Sequence, residues 1–137
     1  MTILADTGGV YALLDRDDAW HEPIRDWWEE NVEPVLLPVS VMPEVSYLAG
    51  RFLGARAELA LARSVAAGEF TLEPLEPDDM PRAADLMATY LDAELGWVDA
   101  TVVSIAERLG ITRLLTTDRR DFSLVRPRHV TAFELLP

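Results

Sequence analysis

Short, uninterrupted apolar runs alternate with longer stretches of helical period along the chain, and no other feature constrains its fold as tightly. TILAD (residues 2–6), VLLP (35–38), FTLEPL (70–75), RLLTT (113–117) and a last run over 130–135 read as strands. A strand without polar alternation must be covered on both faces, and helices provide that cover around a parallel sheet. The intervening stretches supply those helices. A short one over 9–14 follows the turn signal Gly8-Gly9, and 20–30 sets Trp20, Ile24, Trp27 and Trp28 on one side. Ser40 reads as the N-cap of a helix that tolerates Pro43 in its first turn and repeats Val41, Val45, Leu48 and Phe52. Another runs from about 55 to 67 and stops at Gly68, and a further one over 78–91 repeats Met80, Ala84, Met87 and Leu91 on one face. The last, over 97–109, ends at Gly110. The expected fold is α/β, a parallel central sheet flanked by helices. With no internal repeat and no Gly/Ser linker, residues 1–137 are expected to form one domain.

In such a sheet, function gathers outside the carboxyl ends of the strands. Composition limits what the chain can place there. It has no cysteine, hence no disulfide, no thiolate nucleophile and no thiolate metal site. All 12 bases are arginine. The absence of lysine excludes Schiff-base chemistry, a lysine general base and a P-loop lysine. His21 and His129 lie far apart and lack the spacing of a metal-ligand pair. Carboxylate is what remains in excess: 24 acids give a net charge of -12. A chain this acidic binds nucleic acid poorly unaided, because phosphate contacts need cations; bound metal ions, a local arginine patch or a basic partner must supply them. No basic stretch precedes an apolar run at the N-terminus, and the weakly polar stretch 35–43 is short and carries two prolines. A cytoplasmic location with no membrane association is therefore expected.

Four acids stand out by position. Asp6 closes the first strand and Asp118 follows RLLTT, so both should project from the carboxyl edge of the sheet. Each has a second reading: Asp6 as the cap of the helix near Gly9, Asp118 as the cap of a turn with Asp121 three residues on. Glu44 sits within the apolar stretch VSVMPEVSYLAG, one residue past the capping-box position that Pro43 occupies. The helix dipole favours an acid there, yet a carboxylate among apolar neighbours is costly unless hydrated or bound to a cation. Asp99, in GWVDATVVSIAERLG, aligns with Val102, Val103 and Ala106 on the face expected to be buried. Unpaired carboxylates crowded into one cleft raise one another's pKa unless cations enter. Hard divalent ions with oxygen ligands, Mg²⁺ or Mn²⁺, suit such a cluster, and the resulting centre suits phosphodiester hydrolysis by activated water.

ILADTGG, PEVSYL, WVDATVVSIAERLG and LLTTDRRDF extend in this order over nearly the whole chain. With them the sequence resembles the PIN-domain ribonucleases, specifically the VapC-type toxins of bacterial toxin–antitoxin pairs. The resemblance implies that Asp6, Glu44, Asp99 and Asp118 are the acidic metal-binding and catalytic residues. It places Asp121 as a further acid close to the site and gives Thr7 the role of ordering a ligand or water. It implies a central parallel sheet, a homodimer, a cognate protein antitoxin that blocks the cleft, and RNA cleavage that leaves a 3′-hydroxyl and a 5′-phosphate. In that scheme Asp6, Asp99 and Asp118 hold Mg²⁺, which lowers the pKa of a bound water and polarises a phosphoryl oxygen. Glu44 completes the ligand set, holds a second ion or orients the water. Arg119 and Arg120, directly after Asp118, either touch RNA phosphates or balance neighbouring acids in a solvated turn.

Other folds with acids at strand ends fit less well. A phosphoacceptor receiver domain relies on a late lysine, and a haloacid-dehalogenase-type phosphatase needs a second aspartate where Gly8 stands. A PIN-like binding or scaffold module without turnover is the remaining alternative. Among the other acids, Asp15, Asp17 and Asp18 read as a loop charge run, and Asp92 and Glu94 as a solvated connection. Glu73, Glu76, Asp78 and Asp79 read as solvated too, with Asp78 or Asp79 as a cap. Trp20, Trp27, Trp28 and Trp97 are expected to pack in the core or an interface.

Overall fold

The computed structural model describes all 137 residues. Its five strands are β1 (Ile3–Ala5), β2 (Val35–Pro38), β3 (Thr71–Glu73), β4 (Arg113–Leu115) and β5 (Glu134–Leu136). They form one wholly parallel sheet in the order β3-β2-β1-β4-β5. The helices are α1 (Thr7–Leu14), α2 (His21–Glu30), α3 (Val41–Phe52), α4 (Ala55–Ala66), α5 (Asp79–Thr89), α6 (Trp97–Leu109) and α7 (Arg119–Leu124). The fold is the expected one. In register, Leu4 of β1 lies opposite both Leu36 and Leu114. Ile3, Leu4, Ala5, Leu37, Leu114 and Leu115 are fully buried, as a sheet covered on both faces requires. Val10, Val41, Val45, Val102, Val103 and Ile105 from three helices complete the same core.

Two close approaches set the position of the sheet's carboxyl edge. Gly9 of α1 lies so near β4 that a Cβ there would stand 2.5 Å from the Leu115 carbonyl oxygen. On α6, residues 100–106 are all buried, and α5 packs along it. Two ion pairs lock α5 to α6: Arg82 to Glu107 at 2.7 Å and Arg108 to Asp79 at 3.0 Å.

Several expectations need correction. The core face of α5 is Asp79, Ala83 and Leu86, whereas Met80 and Leu91 are 40 % and 71 % exposed. Asp79 is not solvated: its carboxylate is buried, accepting from Arg108 and from the Glu76 backbone N–H. DRRDF is not a bare turn but the start of α7. FTLEPL contracts to the three residues of β3, since Pro74 has no N–H to continue a ladder. The last strand begins only at Glu134. Trp20, Trp27 and Trp28 pack against the core, but Trp97, the first residue of α6, is 41 % exposed.

Candidate metal centre

The connection after β1 leads to β2 on one side, and the connection after β4 leads to β5 on the other. Neighbouring strands whose connections diverge leave a crevice outside their carboxyl ends. Asp6 directly follows β1, and Asp118 lies three residues past β4. One hydroxyl ties them: Thr116 donates to Asp6 Oδ2 at 3.0 Å and accepts from the Asp118 backbone N–H at 2.9 Å. Asp6 occupies the N-cap position of α1, yet its side chain makes no capping hydrogen bond, so the cap reading of Asp6 is set aside. Asp118 does cap: its Oδ1 accepts from the Asp121 N–H at 2.9 Å, which opens α7. Asp99 approaches from the first turn of α6. Asp99, Asp118 and Asp121 each present a carboxylate oxygen, all within 4.8 Å of one another.

Glu44 stands in the first turn of α3, and its charge reaches both Asp6 and Asp99. It is exposed, so the expected desolvation cost of an acid among apolar neighbours does not apply to it. Ser40 holds α3 in place by a route the sequence reading missed. Its backbone is already helical and its hydroxyl caps nothing. That hydroxyl instead donates to the Thr101 hydroxyl at 2.8 Å, and Thr101 donates onward to the Val98 carbonyl at 2.6 Å. The starts of α3 and α6, which carry Glu44 and Asp99, are thereby pinned together. Thr116 was also missed, although a pair of threonines immediately before a strand-end aspartate is a usable signal.

The electrostatics are those of an uncompensated acidic pocket. Burial raises Asp6 to a pKa of about 6, helped by the charges of Asp118 and Glu44 and opposed by the Thr7 amide and the Thr116 hydroxyl. Asp99 is pushed up to about 7, chiefly by burial and then by Asp6, Asp118, Asp121 and Glu44. Asp121 is raised by burial and by Asp118, with Arg120 pulling the other way. None of these five acids belongs to an ion pair. Arg119 is not in a solvated turn: it donates to the carbonyls of Leu135 and Pro137 and lies 4.9 Å over the Trp20 ring, contacts that occupy the guanidinium. Arg120 stays exposed beside Asp121.

The donor set fits a hard divalent ion. Asp6 and Glu44 stand outside the trio whose oxygens meet within 4.8 Å and act on Asp99 through their charge. Asp6 Oδ1 and Thr7 Oγ1 are buried with no hydrogen-bond partner, a cost that a cation bound beside them would offset. All the side chains on offer are oxygen donors, as Mg²⁺ or Mn²⁺ requires.

The PIN domain family model matches residues 3–126, a span that contains all five acids. The chain belongs to the PIN domain family. Ribonuclease VapC26 of Mycobacterium tuberculosis is 29 % identical over 135 residues, covering 98 % of this PIN chain and 100 % of that one. The crystal structure of Mycobacterium tuberculosis VapC20, a sarcin–ricin loop cleaving toxin, matches it with a TM-score of 0.83 at 26 % identity, over 94 % of this chain and 98 % of that one. VapBC2 from Rickettsia felis, solved with a DNA fragment from its promoter, matches at a TM-score of 0.71 and 12 % identity, covering 100 % of each chain. The last likeness shows the PIN fold alone.

Proposed function

We propose that this PIN protein is a metal-dependent endoribonuclease of the VapC type, the toxin of a toxin–antitoxin pair, with residues 1–137 acting as one domain. The reading rests above all on the convergence of Asp99, Asp118 and Asp121 within 4.8 Å, beside a buried Asp6 whose Oδ1 has no partner. Asp6, Asp99, Asp118 and Glu44 would hold Mg²⁺ or Mn²⁺, with Asp121 and Thr7 close by. A bound divalent ion supplies Lewis acidity and lowers the pKa of water, the two requirements of phosphodiester hydrolysis. The chain's own groups do the rest. Thr116 fixes the Asp6 carboxylate, and the Ser40–Thr101 contact joins the starts of the helices that carry Glu44 and Asp99. Glu44, the most exposed of the acids, would complete the ligand set, hold a second ion or orient an incoming water. Arg120 is the cation available to a phosphate at the rim. The cognate antitoxin would be a small protein with a hydrophobic helix and an arginine that neutralises the acids. A homodimer in the cytoplasm completes the reading.

A brief pulse of expression followed by mapping of new RNA ends across total cellular RNA tests the activity, with a sarcin–ricin-loop oligoribonucleotide as the first purified substrate. Defined cleavage sites that need Mg²⁺ or Mn²⁺ and fall at least about 100-fold in Asp6→Asn and Asp99→Asn are expected. Cleavage that survives both substitutions, or none from the wild type with either metal, would leave only the scaffold module standing.

A further inference from the structure

The outer face of α3 carries two side chains that the hydrolytic centre leaves unused. Glu44, Tyr47 and Arg51 follow at i, i+3 and i+7, so they form one stripe that starts at the acids and descends roughly 10 Å along the helix. All three are exposed, and Tyr47, a large ring, is 65 % exposed. Tyr47 and Arg51 line a shallow cavity of about 290 Å³ with Gly50, Ala55 and Glu58. Gly50 and Ala55 are too small to cover the ring or the guanidinium. Glu58, the acid in that cavity, accepts a hydrogen bond from the Ser46 hydroxyl rather than pairing with Arg51. Arg51 belongs to no ion pair, although the chain carries a net charge of -12, and it lies 5.6 Å over the Phe52 ring.

An exposed ring and an uncompensated cation, one and two turns from a phosphodiester-cleaving centre, match the two faces of a nucleotide. Bases stack on aromatic side chains whatever their sequence, and guanidinium groups take phosphate. We propose that Tyr47 and Arg51 form a subsite for single-stranded RNA beside the scissile bond, Tyr47 stacking a flanking base and Arg51 holding a backbone phosphate. This inference rests on the ribonuclease reading. Stacked nucleotides advance by roughly 3.4 Å each, so the stripe spans about three of them. The subsite also answers the acidic field of the whole chain, because it supplies a cation on the path that leads away from the acids.

The test uses an oligoribonucleotide spanning a cleavage site mapped in the pulse experiment. Tyr47→Ala and Arg51→Ala are each expected to raise KM about tenfold while kcat stays within about twofold, with Tyr47→Phe and Arg51→Lys recovering most of the loss. In an Asp99→Asn background, where turnover is removed, Arg51→Ala should flatten the slope of log binding constant against log salt by about 0.7, and Tyr47→Ala should leave that slope unchanged. A merely structural role for Arg51 would not move the salt slope. Unchanged KM and slope, in variants that melt like the wild type, would overturn the subsite while leaving the ribonuclease reading intact. Unchanged RNA cleavage together with a shift to a smaller species in size-exclusion chromatography would give this face to a second copy of the chain and overturn it equally. A wild type that cuts no RNA defeats the ribonuclease reading itself, and the subsite with it.

Discussion

Asp99 concentrates the chemistry of the centre in one side chain. Burial and four neighbouring acids hold its pKa near 7, so at neutral pH the folded protein works against its own carboxylate. Between the ordinary carboxylate range and about 7, the folded state binds more protons than the unfolded one, and stability therefore falls as pH rises through that window. Asp99→Asn keeps the shape and removes the charge. The metal-free variant should melt above the wild type at about pH 8 and lose that advantage at about pH 4, in calorimetric scans across the range. A variant that melts lower at both pH values would show that the charge is not the strained element. Asp99 could be picked out in the sequence because an acid aligned with an apolar helix face has no lysine to meet. Thr116 was less visible: its bond from the Asp118 N–H is local and fits the threonine pair before that aspartate, but its bond to Asp6 depends on how β1 and β4 line up, which no local pattern records. Glu44 was singled out for a reason that does not hold, since it is exposed to solvent in spite of its apolar neighbours in sequence.

Among the elements, α1 and α5 show what periodicity can and cannot supply. The start of α1 is pressed against β4, and a methyl group at residue 9 would meet the Leu115 backbone rather than a side chain able to move aside. Gly9→Ala should therefore cost about 1–3 kcal/mol in urea unfolding, in spite of alanine's better helix propensity. A neutral or stabilising result would mean that α1 can retreat from β4 without penalty. For α5 the helical period was legible but its phase was not. Hydrophobicity favoured Met80, Ala84, Met87 and Leu91, whereas the buried side is Asp79, Ala83 and Leu86. The deciding partner, Arg108, is 29 residues away in sequence, beyond the reach of any local pattern. Arg108→Ala would leave the Asp79 carboxylate, 2 % exposed, without its cation. We expect a loss of about 3 kcal/mol, at the low end for a buried pair because the Arg108 side chain keeps 26 % of its exposure. Asp79→Asn in the same background should restore part of that loss, because the stranded charge is then gone. α7 was invisible for a different reason: at six residues it is too short for periodicity and exists because Asp118 caps it.

At the scale of the whole molecule, a net charge of -12 and five acids without ion pairs at one sheet edge pose one electrostatic problem with two answers, protons or metal. The two compete for the same oxygens. As pH falls through 7 and then 6, Asp99 and next Asp6 take up protons and lose the charge a divalent ion would need, so each step should weaken metal binding. Above that range both are ionised, repulsion in the metal-free protein is greatest, and a bound divalent ion has most to relieve. Saturating Mg²⁺ or Mn²⁺ should raise the melting temperature by about 5 °C or more at about pH 8, as expected for a ligand held at a hundredfold excess over its Kd. The gain should shrink steadily and be much reduced by about pH 5, where Asp99 and Asp6 are both protonated. Ordinary screening of a very acidic chain is distinguishable from this, since a monovalent salt at matched ionic strength screens surface charge without entering the cluster. Scans with NaCl as the matched control would separate the two. A metal gain that is the same at both pH values, or that NaCl reproduces, would mean the acids meet without forming an ion-binding site.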